Sequence, residues 1–218
     1  MQDIDALFAR LGPLHTALVS DVLDALGHRT GAMDFRIRAL GRTRQVVGRA
    51  FTLASVPIDE PEHIPYEKLL AAYRSMSAGD VVVVATNGEL GSGVWGELLS
   101  TAARARGATG AVTDGLTRDL EQIDAMGFSV FARGTSPTDS AGRQAVQAFG
   151  EPIVCGGVDV HPGDLVFGDT GGVVVIPAAL ADEAVRLAEE KHRGENLVRA
   201  ELERGDDPAE VFARYGIL

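Results

Sequence analysis

The set of residues in this chain most suggestive of chemistry is an acid followed, after twenty intervening residues, by an arginine–aspartate pair: Glu97, then Arg118-Asp119. Two carboxylates with a few waters suit Mg²⁺ or Mn²⁺, which prefer oxygen and keep much of their hydration. A guanidinium between them can grip a carboxylate through two hydrogen bonds. Zinc does not fit, because the single cysteine, Cys155, and the five histidines show no ligand spacing. Just upstream, Gly88, Gly91 and Gly93 run into an expected helix start. Glycines before a helix N-terminus let backbone N–H groups take an anion such as a carboxylate. The loop has neither the Gly-Lys-Ser/Thr of a phosphate loop nor a dinucleotide fingerprint. Each residue also has an ordinary structural explanation. Thr117 can cap a helix, the dipole favours Asp119 in a first turn, and Arg118 can form a surface ion pair. Asp114 reads as a turn residue, Trp95 as a core or interface residue, and His28 and His161 as loop residues.

The elements that must position this set follow from periodicity. Ile4, Leu7, Phe8 and Leu11 have helical spacing and stop at Gly12-Pro13; Leu18, Val19, Val22, Leu23 and Leu26 make a second helix ending at Gly27. Gln45 to Val56 reads as a strand in which Gly48 marks a bend or close contact. Lys68 to Met76 reads as a helix, and Val81 to Ala85 as a strand apolar on both faces, suited to the middle of a sheet. A helix is predicted from about Val94 to Arg106, a strand at Ala111–Thr113, a helix from near Thr117 and a strand at Ser129–Ala132. This alternation predicts an α/β layered core in which consecutive helices start on one edge of the sheet, bringing Glu97 and Asp119 to one pocket. Short strands follow within Pro152–Val160, Asp164–Phe167 and Gly172–Ile176. A long charged helix, open to a break at Gly194, then spans Ala178–Glu203, with a short one at Pro208–Tyr215.

Composition narrows the function classes. Apolar residues make up 45% of 218 and charged residues 23%, ordinary for a soluble globular chain, and no apolar run approaches a membrane span. One cysteine permits no internal disulfide, and the acidic N-terminus does not resemble a signal peptide, so a cytoplasmic location is expected. A net charge of −11 argues against nucleic-acid binding, and means that an acidic ligand needs local positive charge.

Three neighbouring segments, Trp95-Gly96-Glu97-Leu98-Leu99, Ala102-Ala103-Arg104-Ala105-Arg106-Gly107 and Gly110 to Asp119, together resemble the RraA-like family. So do Ser20 to Gly27, Gly48 to Thr52, Pro162-Gly163-Asp164 and Gly171 to Pro177, so the likeness covers nearly the whole chain. The family includes 4-hydroxy-4-methyl-2-oxoglutarate/4-carboxy-4-hydroxy-2-oxoadipate aldolases and regulators of ribonuclease E activity. Its active aldolases carry an acid, twenty residues, then Arg-Asp, a spacing matched here.

The resemblance implies an α/β/α sandwich with a mixed central sheet, of the swivelling β/β/α type. It implies one RraA-like domain over 1–218, with C-terminal helices at about 178–215 lying at a subunit edge of a homotrimer or hexamer. It further implies Mg²⁺ or Mn²⁺ held chiefly by Asp119, with Glu97 reaching it through water and Glu195 reaching it from a neighbouring subunit. Arg118 would bind substrate and stabilise an enolate, while backbone N–H groups around Gly96, Leu98 and Leu99 take the pyruvyl carboxylate. The function so implied is a class II pyruvate aldolase acting on small 2-oxo acids, with oxaloacetate decarboxylation as a side activity. A Schiff-base route would need a buried lysine, and Lys68 and Lys191 both stand in charged helical settings. The alternative from the same family is a non-catalytic inhibitor of RNA degradation; the intact Glu97…Arg118-Asp119 set favours the enzyme.

Overall fold

A computed structural model of the chain describes residues 4–60, 63–64 and 66–217. The chain begins with helices α1 (Ile4–Leu11) and α2 (Thr16–Ala25), whose Leu7, Leu11, Leu18, Val19, Val22 and Leu23 are buried as their spacing predicts. His15 starts α2 as its N-cap, its Nδ1 accepting the Leu18 N–H at 3.2 Å. Strands β1 (Arg38–Leu40) and β2 (Val46–Pro57) follow, then α3 (Glu67–Ser75) and β3 (Asp80–Ala85). Next come β4 (Gly93–Trp95), α4 (Glu97–Ala105), β5 (Gly110–Thr113), β6 (Leu116–Thr117), α5 (Leu120–Ala125) and β7 (Ser129–Ala132). The last third holds β8 (Gln144–Phe149), the hairpin β9 (Ile153–Cys155) and β10 (Val158–Val160), then β11 (Leu165–Asp169) and β12 (Gly172–Ile176). It closes with α6 (Ala181–Glu203) and α7 (Pro208–Tyr215).

The main sheet has eight strands in the order β1-β7-β5-β3-β2-β11-β12, with β8 also on β2. Its middle, β2-β3-β5-β7, is parallel, and the remaining pairings are antiparallel, giving the mixed sheet expected. β2 serves two partners along one edge: Val46–Arg49 pair with β11 and Leu53–Pro57 with β8, with a register shift at Ala54/Ser55. The sheet curls until its ends nearly meet, and Arg38 of β1 donates to the Gly171 carbonyl beside β12 at 2.7 Å.

Alternation along the strands divides the apolar residues between two faces. Val81, Val83, Val112, Phe131, Val166, Val173 and Val175 fill the inside of the curl against Cys155, Val158 and Val160 of the β9–β10 hairpin. The alternate residues face outward to helices on two sides. Leu165, Phe167, Val174 and Ile176 meet α1, α2 and α6. Val82, Val84, Ala111, Val130 and Ala132 meet α3, α4 and α5. Each buried valine contributes about 1.5–3 kcal/mol of transfer free energy, which explains why β3 is apolar on both faces. At Gly48 a Cβ would stand 2.5 Å from the Gly79 carbonyl, the close contact predicted there.

Several expectations are corrected. The helix predicted from about Val94 starts at Glu97, because Gly93–Trp95 pair as β4 with β6 in a separate two-stranded parallel ribbon. Thr117 caps no helix: it lies in β6, its hydroxyl donates to the Trp95 carbonyl at 3.0 Å, and Asp119 rather than Thr117 precedes α5. α6 runs through Gly194 unbroken, and the glycine makes room for Ile217, whose Cδ1 would stand 2.7 Å from a Cβ there. Among the described residues no helix is long and apolar enough to cross a membrane.

Candidate active site

The β4/β6 ribbon brings the two halves of the acid…Arg-Asp set together. The Arg118 N–H donates to the Trp95 carbonyl at 2.8 Å, fixing the start of α4 beside the start of α5. Asp119 turns the chain between β6 and α5 with φ 57° and ψ 35°, a left-handed conformation that aspartate tolerates better than most residues. Its Oδ2 accepts the Glu97 N–H and the Arg118 Nε, both at 3.2 Å. Glu97 therefore leads α4 with its first N–H on the Asp119 carboxylate, while its own Oε1 accepts from the Thr101 hydroxyl at 2.8 Å. Gly96 allows this approach: a Cβ there would stand 2.8 Å from Asp119 Oδ2 and 3.0 Å from Arg118 Cγ. Behind it, Trp95 is buried, its Nε1 donating to Ser100 Oγ at 2.8 Å, and Ser100 Oγ donates to the Gly96 carbonyl at 2.9 Å.

These residues line a cavity of about 820 Å³ between α3, α4 and β8. Its floor and walls are largely apolar, including Leu53, Leu69, Val84, Leu99 and Val146. The N–H groups of Leu98 and Leu99 lie in the first turn of α4, where no intrahelical acceptor exists, so they are placed to take an anion. Tyr73 also lines the cavity; its hydroxyl donates to the Leu99 carbonyl at 2.9 Å, and burial holds its pKa well above the usual tyrosine value.

The glycine loop does less than its composition suggests. Space beside Gly88 is taken by Arg133, beside Gly91 by Glu89, and beside Gly93 by Ser136 and Arg118, so these glycines admit the protein's own groups. Asp114 is a buried structural carboxylate that accepts the Thr86 N–H at 2.6 Å and its hydroxyl at 3.0 Å. Glu195 lies on α6 with its Oε2 3.8 Å from His15 Nε2, facing the start of α2 and not this cavity within one chain. Lys68 donates to the Gln147 carbonyl and Lys191 pairs with Asp21, and neither lines the cavity.

One charged partner escaped sequence reasoning. Asp139, in the segment between β7 and β8, holds Arg118 Nη1 at 3.0 Å. It stands in no periodic pattern, so nothing in the sequence pointed to it. Two carboxylates, Asp119 and Asp139, thus hold one guanidinium, an excess of negative charge that a cation would offset. Among the described residues the hydrogen bonds to the Asp119 carboxylate fall on Oδ2, which leaves the Oδ1 lone pairs for a metal ligand bond. No cluster of three or more His, Cys, Asp or Glu poised as ligands occurs among the described residues. A single carboxylate oxygen with free lone pairs suits a cation that keeps most of its water, as Mg²⁺ and Mn²⁺ do.

The sequence model of the RraA-like family, Aldolase/RraA, matches residues 16–175. The chain belongs to the RraA-like family. Among its relatives, a protein of Halalkalibacterium halodurans named "Putative 4-hydroxy-4-methyl-2-oxoglutarate aldolase" is 34% identical over 176 residues, covering 81% of this chain and 79% of that one. A crystal structure of Streptomyces coelicolor RraAS2, described as an unusual member of the RNase ES inhibitor RraA protein family, superposes with a TM-score of 0.80 at 30% identity. It covers 90% of this chain and 98% of that one. An uncharacterised protein from Pseudomonas syringae pv. tomato superposes with a TM-score of 0.82 at 28% identity, covering 95% and 96%. This RraA-like chain is thus similar in sequence to a relative named for an aldolase and in structure to a member of a family named for inhibition.

Proposed function

We propose that the protein is a divalent-metal-dependent pyruvate aldolase that cleaves 4-hydroxy-4-methyl-2-oxoglutarate-like acids, with oxaloacetate decarboxylation as a side activity. The observation that carries this reading is the convergence of Arg118 Nε and the Glu97 N–H on one oxygen of Asp119, at the first turn of α4 and inside a large cavity. Asp119 would hold Mg²⁺ or Mn²⁺ directly, Glu97 through water, with the partner subunit's Glu195 completing the set in a trimer or hexamer. The cation supplies Lewis-acid stabilisation of negative charge on a keto oxygen. The free N–H groups of Leu98 and Leu99, beside Gly96, bind the pyruvyl carboxylate. Arg118, fixed between Asp119 and Asp139, places its guanidinium against the oxygen on which charge develops. Glu97 orients a water that takes the proton of the C4 hydroxyl. The C3–C4 bond then breaks, its electron pair passes into the pyruvyl enolate, and a proton delivered to C3 releases pyruvate.

The test is pyruvate release from 4-hydroxy-4-methyl-2-oxoglutarate and from oxaloacetate, after EDTA and after adding back Mg²⁺ or Mn²⁺. Restoration by metal in the wild type, with loss in Arg118→Ala and Asp119→Ala at unchanged fold and assembly, is the expected result. No release from either acid by a folded, metal-supplemented protein would sink the reading. The inhibitor reading, favoured by the likeness to the Streptomyces protein, would then take its place.

A further inference from the structure

The cavity wall is divided by chemistry. Its charged end holds Glu97, Arg118 and Asp119, and most of the rest is aliphatic or aromatic. Set into that apolar wall are two polar side chains that are almost wholly buried, Ser55 of β2 at 5% exposure and Gln144 of β8 at 6%. Ser55 Oγ bonds Gln144 Oε1 at 3.3 Å, and Gln144 Nε2 donates to the buried Ser92 Oγ at 2.9 Å. A side-chain amide has two N–H donors and two acceptor lone pairs. These contacts use one of each, which leaves one N–H and one lone pair without a partner among the described residues, on a side chain that lines the cavity. The other buried polar group there, the Tyr73 hydroxyl, is already committed to the Leu99 carbonyl. Burying an amide with half its capacity unmet opposes folding, and an apolar residue of similar volume would pack there at less cost.

Position gives the amide a task. Asp139, which holds Arg118, lies in the segment that leads into β8, and the Gln144 N–H donates to the Ser140 carbonyl at 2.9 Å. Gln144 thus stands one turn of chain beyond the residue that fixes the guanidinium. Further along the same strand pair, β2 and β8 shift register between Ala54 and Ser55, opposite Ala148 and Val146, a device that re-aims side chains beside sites. We propose that Gln144, steadied by Ser55 and Ser92, is the specificity-determining residue for the acceptor half of the substrate, the fragment that leaves as a carbonyl compound. It binds an oxygen of that fragment through a neutral hydrogen bond. The inference rests on the aldolase reading and adds a requirement: good substrates carry, on the acceptor half, a hydrogen-bonding oxygen besides the hydroxyl that becomes its carbonyl, and acceptor halves otherwise made only of hydrocarbon are poor ones.

The experiment compares kcat/KM for 4-hydroxy-4-methyl-2-oxoglutarate with the inhibition constant of oxalate, which mimics the pyruvyl enolate and has no acceptor half, in the metal-loaded wild type and in Gln144→Met and Gln144→Asn. Methionine removes the amide at similar volume; asparagine keeps it but withdraws it by one methylene and guards against a misfolded first variant. Losing one neutral hydrogen bond lowers kcat/KM about tenfold, and the oxalate constant moves by clearly less in both variants. Equal shifts in the two constants, or no shift in either, overturn the assignment while leaving the aldolase reading intact. A wild type inactive on this substrate overturns both.

Discussion

At the scale of the residue, the site depends on close approach. The juxtaposition of Glu97 with Arg118 and Asp119 was legible because consecutive helices start on one sheet edge, and the Glu97 N–H does reach the Asp119 carboxylate. Asp139 and Gln144 were not, because their positions depend on how an aperiodic segment between two strands folds back over the cavity. Gly96 shows how little slack there is. A methyl group there would meet Asp119 Oδ2 at 2.8 Å and Arg118 Cγ at 3.0 Å. Gly96→Ala is therefore expected to push this pair off the α4 N-terminus and lower kcat/KM about 100-fold, the usual consequence of misplacing a group by about an ångström. Circular dichroism and the unfolding midpoint should change little, since the residue adjoins the cavity; a midpoint that collapsed along with activity would mean that Gly96 serves the core.

Among the elements, those with clean periodicity were foreseen and those made by pairing were not. β3, β11 and β12 announce themselves as apolar runs. β1 is only Arg38–Leu40, and β8 mixes polar and apolar residues because one of its faces borders the cavity and one edge is open. The β4/β6 ribbon was hidden for a related reason: Val94 and Trp95 suit the apolar face of a helix equally well, and only their partner strand decides between the two. The β9–β10 hairpin, filling the inside of the curl, has a measurable signature. Cys155 is fully buried, and burial together with the nearby Asp114 charge raises its thiol pKa far above the ordinary value. Reaction with a thiol reagent at pH 8 should therefore be negligible in the native protein and should appear at the rate of unfolding. Rapid native labelling would show that the hairpin opens on its own.

For the molecule as a whole, acid stability follows from how its carboxylates are held. Asp34 is kept well below the usual carboxylate range, first by its hydrogen bonds to Arg36 and then by the charges of Arg36 and Arg133. Glu189 is lowered chiefly by its hydrogen bond to Arg10. For both, the folded pKa lies below the unfolded one, so their stabilisation is present at neutral pH and is lost as pH falls from about 4 through the folded values. Asp80, raised by burial, acts in the opposite sense. In urea titrations Asp34→Asn should be less stable than wild type at pH 7, and the gap should narrow at pH 3. A gap that widened on acidification would contradict the role given to Arg36.

The two-partner edge of β2 also governs the order in which the chain can assemble. β2 is made early, yet the strands that complete its outer edge, Gln144–Phe149 and Leu165–Gly168, are made more than eighty residues later. A growing chain therefore carries β2, and then the parallel layer built on its other side, with an unpaired apolar edge until the last quarter emerges. Such an edge invites pairing with other chains. Synthesis of this protein thus contains a long interval in which protection by a chaperone, or by the speed of translation, matters more than at any later time in its life.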